Sequence, residues 1–120
     1  MESQHLGINQ IKENEYPKLV RDNIPEIVEK ISGKKVRMQI LEDDLEYLGY
    51  LLKKVEEEAS ELANAEGRDH QAEEIADVME LLDTLVEFNG MDWDEIKGIQ
   101  KEKKVKRGGF EKRILMLERP

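Results

Sequence analysis

Two pairs of acidic residues flank a short turn signal, and their spacing constrains the fold more than any other feature of the chain. The first pair is Glu58 and Glu61, and the second is Glu74 and Asp77. Residues three apart on a helix project from one face on adjacent turns, and Gly67, between the pairs, is the residue type that most often ends a helix. If two helices fold back antiparallel at this glycine, Glu61 lies level with Glu74 and Glu58 with Asp77. Four carboxylates this close repel each other, so the spacing predicts a site for a divalent cation.

The residues around these pairs predict two long amphipathic helices. The first opens at Asp43, and the second runs from about Asp69, a capping candidate, to Asn89. Apolar residues recur every three or four positions in both, which is the pattern of a helix with one buried face. These stripes consist of Leu45, Leu48, Leu52, Val55, Ala59 and Leu62 in the first helix and Ile75, Val78, Met79, Leu82, Leu85 and Val86 in the second. We expect the stripes to form the core and the acidic pairs to lie at its edge.

A shorter helix is predicted upstream, from a cap at Asp22 or Asn23 to a stop at Gly33. Lys18 and Arg21 lie just before its start, a place where backbone amides and basic side chains together can hold an anion. Taken alone, the segment favours the simpler interpretation that both are surface charges.

The C-terminal third predicts one more helix, capped by Asp92 or Asp94 and stopped at Gly108. Residues 34–41 alternate well enough to form a short strand, and residues 114–117 could pair with it. The sequence therefore predicts an all-α fold, an antiparallel helical bundle with a short two-stranded β appendage.

Composition limits what the protein does. The 120 residues suit a single domain, 16–120, preceded by an N-terminal arm, 1–15. A domain of this size is marginal as a monomer, and we expect a homodimer or homotetramer. The net charge of −9 argues against nucleic-acid binding, and the lack of cysteine excludes disulfides, thiolate zinc sites and cysteine nucleophiles. Without a membrane-length apolar run or a signal-peptide core, the expected location is the cytoplasm and no membrane partner is expected.

Oxygen-only ligands indicate a hard cation, Mg²⁺ with Mn²⁺ as an alternative. Such ions keep open positions for water and for substrate phosphates. Glu57 could then take a proton from the attacking water, although its position points it off the face of the acidic pair. Lys103 and Arg107, one helical turn apart, could contact outer phosphates. Solvated acidic and basic helix faces remain the alternative for all of these residues.

Three stretches in this order resemble one family. They are a segment at Lys18–Pro25, then Glu57-Glu58-x-x-Glu61 followed by Glu74-x-x-Asp77, and then a segment at Lys106–Arg113. Together they resemble the MazG-like all-α nucleotide pyrophosphohydrolases, in particular a small single-domain branch described as phosphoribosyl-ATP pyrophosphohydrolase-like. The resemblance covers about residues 16–117.

The resemblance implies an oligomeric helical bundle that cleaves a nucleoside triphosphate between the α and β phosphates, with Mg²⁺. It implies metal ligation by the two acidic pairs, Glu58, Glu61, Glu74 and Asp77, with Glu58 and Glu61 also counted as catalytic. It makes Glu57 the candidate for the water-activating base, and it turns three basic residues toward phosphates, namely Lys54, Lys103 and Arg107. It assigns no role to the segment 18–25, and the family's base-reading aromatic residues have no clear counterpart here.

Three functions are consistent with these residues. The first is a house-cleaning hydrolase that removes non-standard or surplus nucleoside triphosphates. The second is the phosphoribosyl-ATP pyrophosphohydrolase step of histidine biosynthesis. The third, from a different class, is a non-catalytic helical oligomerisation or metal-binding module.

Overall fold

The structure, a computed structural model, describes residues 15–120. These residues form an all-α fold, as predicted, whose helices are α1 (Ile24–Ser32), α2 (Asp44–Asn64), α3 (Arg68–Phe88) and α4 (Trp93–Arg107). The predicted N-terminal arm lies outside the described residues except for its last residue. No helix within 15–120 is long and apolar enough to cross a bilayer.

The ends of α1 and α2 follow the predicted capping residues. Asn23 holds the N-cap position of α1 without a side-chain capping bond, and Gly33 ends the helix in the left-handed conformation at φ 73°. Gly33 N–H donates to the carbonyl of Glu29 at 2.8 Å. At the start of α2 the carboxylate of Asp43 accepts from the backbone N–H of Glu46 at 2.9 Å. Helix α1 therefore begins and ends, and helix α2 begins, close to where local chemistry places these boundaries.

The connection between α2 and α3 is three residues long, 65–67, and it differs in detail from the prediction. Gly67 adopts φ 89°, a conformation that favours glycine, as a tight reversal requires. The helix α3 begins at Arg68, so Asp69 lies inside its first turn and the predicted cap at Asp69 is wrong. The carboxylate of Asp69 instead accepts from the guanidinium of Arg68 at 2.8 Å.

The chain divides into two compact units, one ending at Asp83 and the other beginning at Thr84. The second unit contains α4. Of the two predicted caps of α4, Asp92 holds the position, and its carboxylate accepts from Glu95 N–H at 2.9 Å. Gly108 ends the helix, as predicted, with its N–H donating to the carbonyl of Lys104 at 2.8 Å.

The predicted β appendage is not formed in residues 15–120, where no segment has strand structure. Residues 34–41 and 114–117 lack the backbone ladder that a strand pair needs. A local competitor takes part of the hydrogen bonding, because Val36 N–H donates to the carboxylate of Glu29 at 2.9 Å.

Within the described chain, two acidic side chains are more buried than the apolar stripes that were expected to form the core. Leu51, 1% exposed and outside the predicted stripes, is its most buried large side chain, whereas Met79 on the α3 stripe is 57% exposed. Glu57 and Glu74 are more buried than most of the stripe residues. α2 and α3 turn acidic side chains toward each other, and much of the apolar stripes is exposed in the single chain. Burial of the stripes between subunits stays a prediction.

Candidate metal centre

Three of the four predicted carboxylates converge. Glu58 and Glu61 lie one turn apart on α2, and Glu74 lies near the start of α3. One carboxylate oxygen from each of the three lies within 4.8 Å of the others. The three-residue connection makes this meeting possible, since it brings the first turns of α3 back beside the last turns of α2.

The deepest member of this group is Glu74, which is 7% exposed. Its Oε1 atom and Oε1 of Glu58 are buried without a hydrogen-bond partner. Its other oxygen, Oε2, lies 3.4 Å from Nε2 of His70, one turn earlier on α3. Burying an unpaired carboxylate oxygen costs free energy, because the solvation it loses is not replaced. A cation placed among the three carboxylates would replace that solvation, and oxygen donors alone suit Mg²⁺ or Mn²⁺.

Burial and neighbouring carboxylates raise the pKa of Glu58 from 4.5 to about 7. Burial is the largest cause, followed by the negative charge of Glu61, while Lys54 opposes the rise. The charge of Asp77 and the neighbouring carboxyl of Glu74 add smaller increases. Without a cation, the site thus favours the protonated form of the Glu58 carboxyl, whereas a bound cation would favour its ionised form.

Asp77, the fourth predicted ligand, forms an ion pair with Arg21. Its Oδ1 accepts from Nη2 of Arg21 at 2.7 Å, which ties the segment before α1 to α3. Asp77 is therefore not one of the three converging carboxylates, although its charge still reaches Glu58.

Glu57 faces two lysines. Its Oε2 lies 3.3 Å from Nζ of Lys54 and 3.7 Å from Nζ of Lys18. Lys54 also approaches Oε2 of Glu58 at 3.7 Å, so it lies between the predicted base and the carboxylate group. Glu57 is buried and outside the group of three, which agrees with its predicted position off the face of the pair.

A cavity of about 310 Å³ adjoins the carboxylates. Its lining includes three basic residues, Lys18, Arg21 and Lys54, and three acidic residues, Glu58, Asp77 and Glu80. The remaining lining residues are Tyr16, Val20, Ile24 and Leu81. Basic side chains suit phosphate oxygens, and carboxylates suit a metal ion.

Two predicted phosphate ligands, Lys103 and Arg107, lie on α4 in the second unit, and both are exposed. Their contact with phosphates stays a prediction.

The sequence interpretation missed the contribution of the segment before α1. Lys18 and Arg21 were better explained as surface charges from their segment alone, yet both reach carboxylates of the long helices. The available signal was the resemblance of segment 18–25 to a family stretch, which carried no role. Pairing over 56 residues of sequence, as between Arg21 and Asp77, leaves no local pattern.

Comparison with family models, with curated proteins and with solved structures finds no match to this chain. The family resemblance therefore depends on the sequence motifs alone.

Proposed function

We propose that this protein is a metal-dependent nucleoside triphosphate pyrophosphohydrolase, which cleaves between the α and β phosphates and acts in the cytoplasm to remove unwanted nucleotides. The observation that carries the proposal is the buried, unpartnered Oε1 of Glu74 within a group of three carboxylates. A solvated acidic surface would not bury that oxygen. Lys18, Arg21 and Lys54 line the adjoining cavity, which supports a phosphate compound as the ligand.

In this proposal the acidic pairs hold Mg²⁺, or Mn²⁺ in its place, through Glu58, Glu61, Glu74 and Asp77. Such an ion would supply positive charge that offsets the phosphates and would make the attacking water more acidic. Glu57 is the candidate to receive the proton of the attacking water. Lys54, which lines the cavity, is proposed to contact phosphates, and so are Lys103 and Arg107.

The reaction is a hydrolysis of one phosphoanhydride bond. The water oxygen bonds to one of the two phosphorus atoms of the α–β linkage, and the bridging P–O bond breaks. The products are a nucleoside monophosphate and pyrophosphate, and the proton lost by water passes to the base. No redox partner or second substrate is needed.

Exposed apolar faces support self-association as a homodimer or homotetramer. Ile75, Met79 and Leu82 lie on the α3 stripe, and all three are more than one third exposed. Contiguous apolar surface of this kind marks interaction sites in soluble proteins.

The direct test is pyrophosphate release from a panel of ribo- and deoxyribonucleoside triphosphates, canonical and damaged, with Mg²⁺, Mn²⁺ or EDTA. We expect release that requires metal and is lost in Glu61→Gln. Glu56→Gln is the matched control, because Glu56 is an exposed glutamate on the same helix. Release that persists in EDTA or in Glu61→Gln would contradict the proposal.

The two other functions are outcomes of the same experiment. Inactivity on the panel combined with cleavage of phosphoribosyl-ATP would assign the histidine-biosynthesis reaction. A folded, metal-binding protein that is inactive on both, and in which Glu61→Gln changes only stability, would be the non-catalytic oligomerisation module favoured by the exposed apolar faces.

A further inference from the structure

The segment before α1 has no assigned role, yet its Arg21 binds a predicted metal ligand. The guanidinium of Arg21 donates to Asp77 at 2.7 Å, and the Arg21 side chain is 58% exposed. Asp77 is 37% exposed, so neither partner is locked in the interior. An exposed pair of this kind contributes little net stability, and its partners can exchange at small cost.

We propose that Arg21 is a substrate-binding residue that exchanges partners: it pairs with Asp77 in the metal-free protein and with a phosphate oxygen of the metal-bound substrate. The inference deepens the proposed function and rests on it. The ligand class is a di- or triphosphate carried with a divalent cation.

A bound cation and Arg21 compete for the carboxylate of Asp77. A divalent cation bound by the acidic pairs attracts Asp77, and its positive charge repels the guanidinium of Arg21. Because Arg21 lines the same cavity as Glu58 and Asp77, the released guanidinium remains at the cavity wall. Its planar array of N–H donors matches phosphate geometry.

The other two cations of the cavity wall behave differently. Lys18 and Lys54 both lie near Glu57, at 3.7 and 3.3 Å. Glu57 is not one of the four predicted metal ligands, so both lysines keep a buried counter-charge when a metal binds to those four. Arg21 instead pairs with Asp77, a predicted metal ligand, and it is therefore the cation that metal binding releases.

The test measures binding to the full-length protein rather than turnover. The concentration of free Mn²⁺ is measured by electron paramagnetic resonance, a method that can determine dissociation constants up to the millimolar range. Binding of imidodiphosphate to the Mn²⁺-loaded protein is measured by calorimetry. In Arg21→Gln we expect Mn²⁺ alone to bind about threefold to fivefold more tightly, because its competitor is gone. We expect imidodiphosphate to bind at least about tenfold more weakly, because a charge-assisted contact is lost.

A double-mutant cycle with Asp77→Asn separates exchange from a general field effect. In the Asp77→Asn background, Arg21→Gln should leave Mn²⁺ affinity unchanged while still weakening imidodiphosphate binding. Arg68→Gln is the matched control, since Arg68 is an exposed arginine paired with its neighbour Asp69, and it should change neither affinity. If Arg21→Gln fails to fold, Arg21→Lys replaces it in both measurements, with smaller shifts of the same sign.

The outcomes separate this proposal from the function on which it rests. Mn²⁺ binding and pyrophosphate release without the opposed shifts in Arg21→Gln would overturn the role of Arg21 and leave the proposed function intact. A gain in Mn²⁺ affinity that persists in Asp77→Asn would also overturn it, since it would reflect net charge alone. A wild-type protein that binds no Mn²⁺ would overturn both.

Discussion

Replacing Glu58 by glutamine should stabilise the metal-free protein at alkaline pH, although it damages the proposed metal site. In the folded chain the pKa of Glu58 is raised from 4.5 to about 7, first by burial and then by the charge of Glu61. The folded state therefore binds a proton more tightly than the unfolded state does. Glu58 costs no stability below pH 4.5, costs more as the pH rises, and imposes its full cost above pH 7. Glutamine resembles the protonated form and avoids that cost.

The size of the effect follows from the same shift. A pKa rise from 4.5 to about 7 corresponds to a ceiling of about 3 kcal/mol, because one pKa unit equals about 1.4 kcal/mol. The Glu58 side chain is 13% exposed, and its neighbours can relax or bind protons themselves, which reduces the figure. We expect a gain of about 1–2 kcal/mol at pH 8. That gain corresponds to a rise in melting temperature of about 4–8 °C.

The assay is urea and thermal denaturation in EDTA at pH 8 and at pH 4.5, with Glu56→Gln as the control. Glu58→Gln should exceed wild type at pH 8 and match it at the acidic pH, whereas the control should match wild type at both. Added Mg²⁺ should stabilise wild type more than Glu58→Gln. Equal stability at pH 8, or a gain of the same size at pH 4.5, would refute the electrostatic reasoning.

Three further perturbations test the fold and the environment of the site. Leu51→Ala should lower the free energy of unfolding by about 2–5 kcal/mol in urea titrations, because Leu51 is fully buried; a loss under about 1 kcal/mol would contradict that burial. Glu57→Gln should cost about 1–3 kcal/mol at neutral pH, because Lys18 and Lys54 lose a buried counter-charge, and a neutral result would show that water compensates them. Met79→Glu should reduce the sedimentation mass without changing helix content, since Met79 is exposed on the apolar face; an unchanged mass would place the interface elsewhere.

The helices were predictable because their signals are local. Asp43 and Gly33 act on backbone groups within four residues. In the structure Asp43 caps the start of α2 and Gly33 ends α1, as the sequence predicts. The convergence of Glu58, Glu61 and Glu74 was also predictable, because it follows from helical spacing and a short reversal. These inferences need no knowledge of distant parts of the chain.

The prediction that failed, and the contacts that were missed, depend on interactions that the local sequence patterns do not contain. Residues 34–41 alternate like a strand, but the backbone of Val36 bonds to Glu29 and no ladder forms. The apolar stripes are only partly buried within the chain, and periodicity cannot tell an internal core from a face that meets another molecule. The pair of Arg21 and Asp77 joins residues 56 apart, which a single sequence cannot reveal.

The segment before α1 is fastened to both long helices by ion pairs, through Lys18 to Glu57 on α2 and through Arg21 to Asp77 on α3. A mutation at one end of either pair would therefore also change the charge balance at the other end. Evolutionary drift at either end of each pair is restrained by the other end. Among diverging descendants of this sequence, we expect positions 18 and 57, and positions 21 and 77, to change together, which an alignment of such sequences would test.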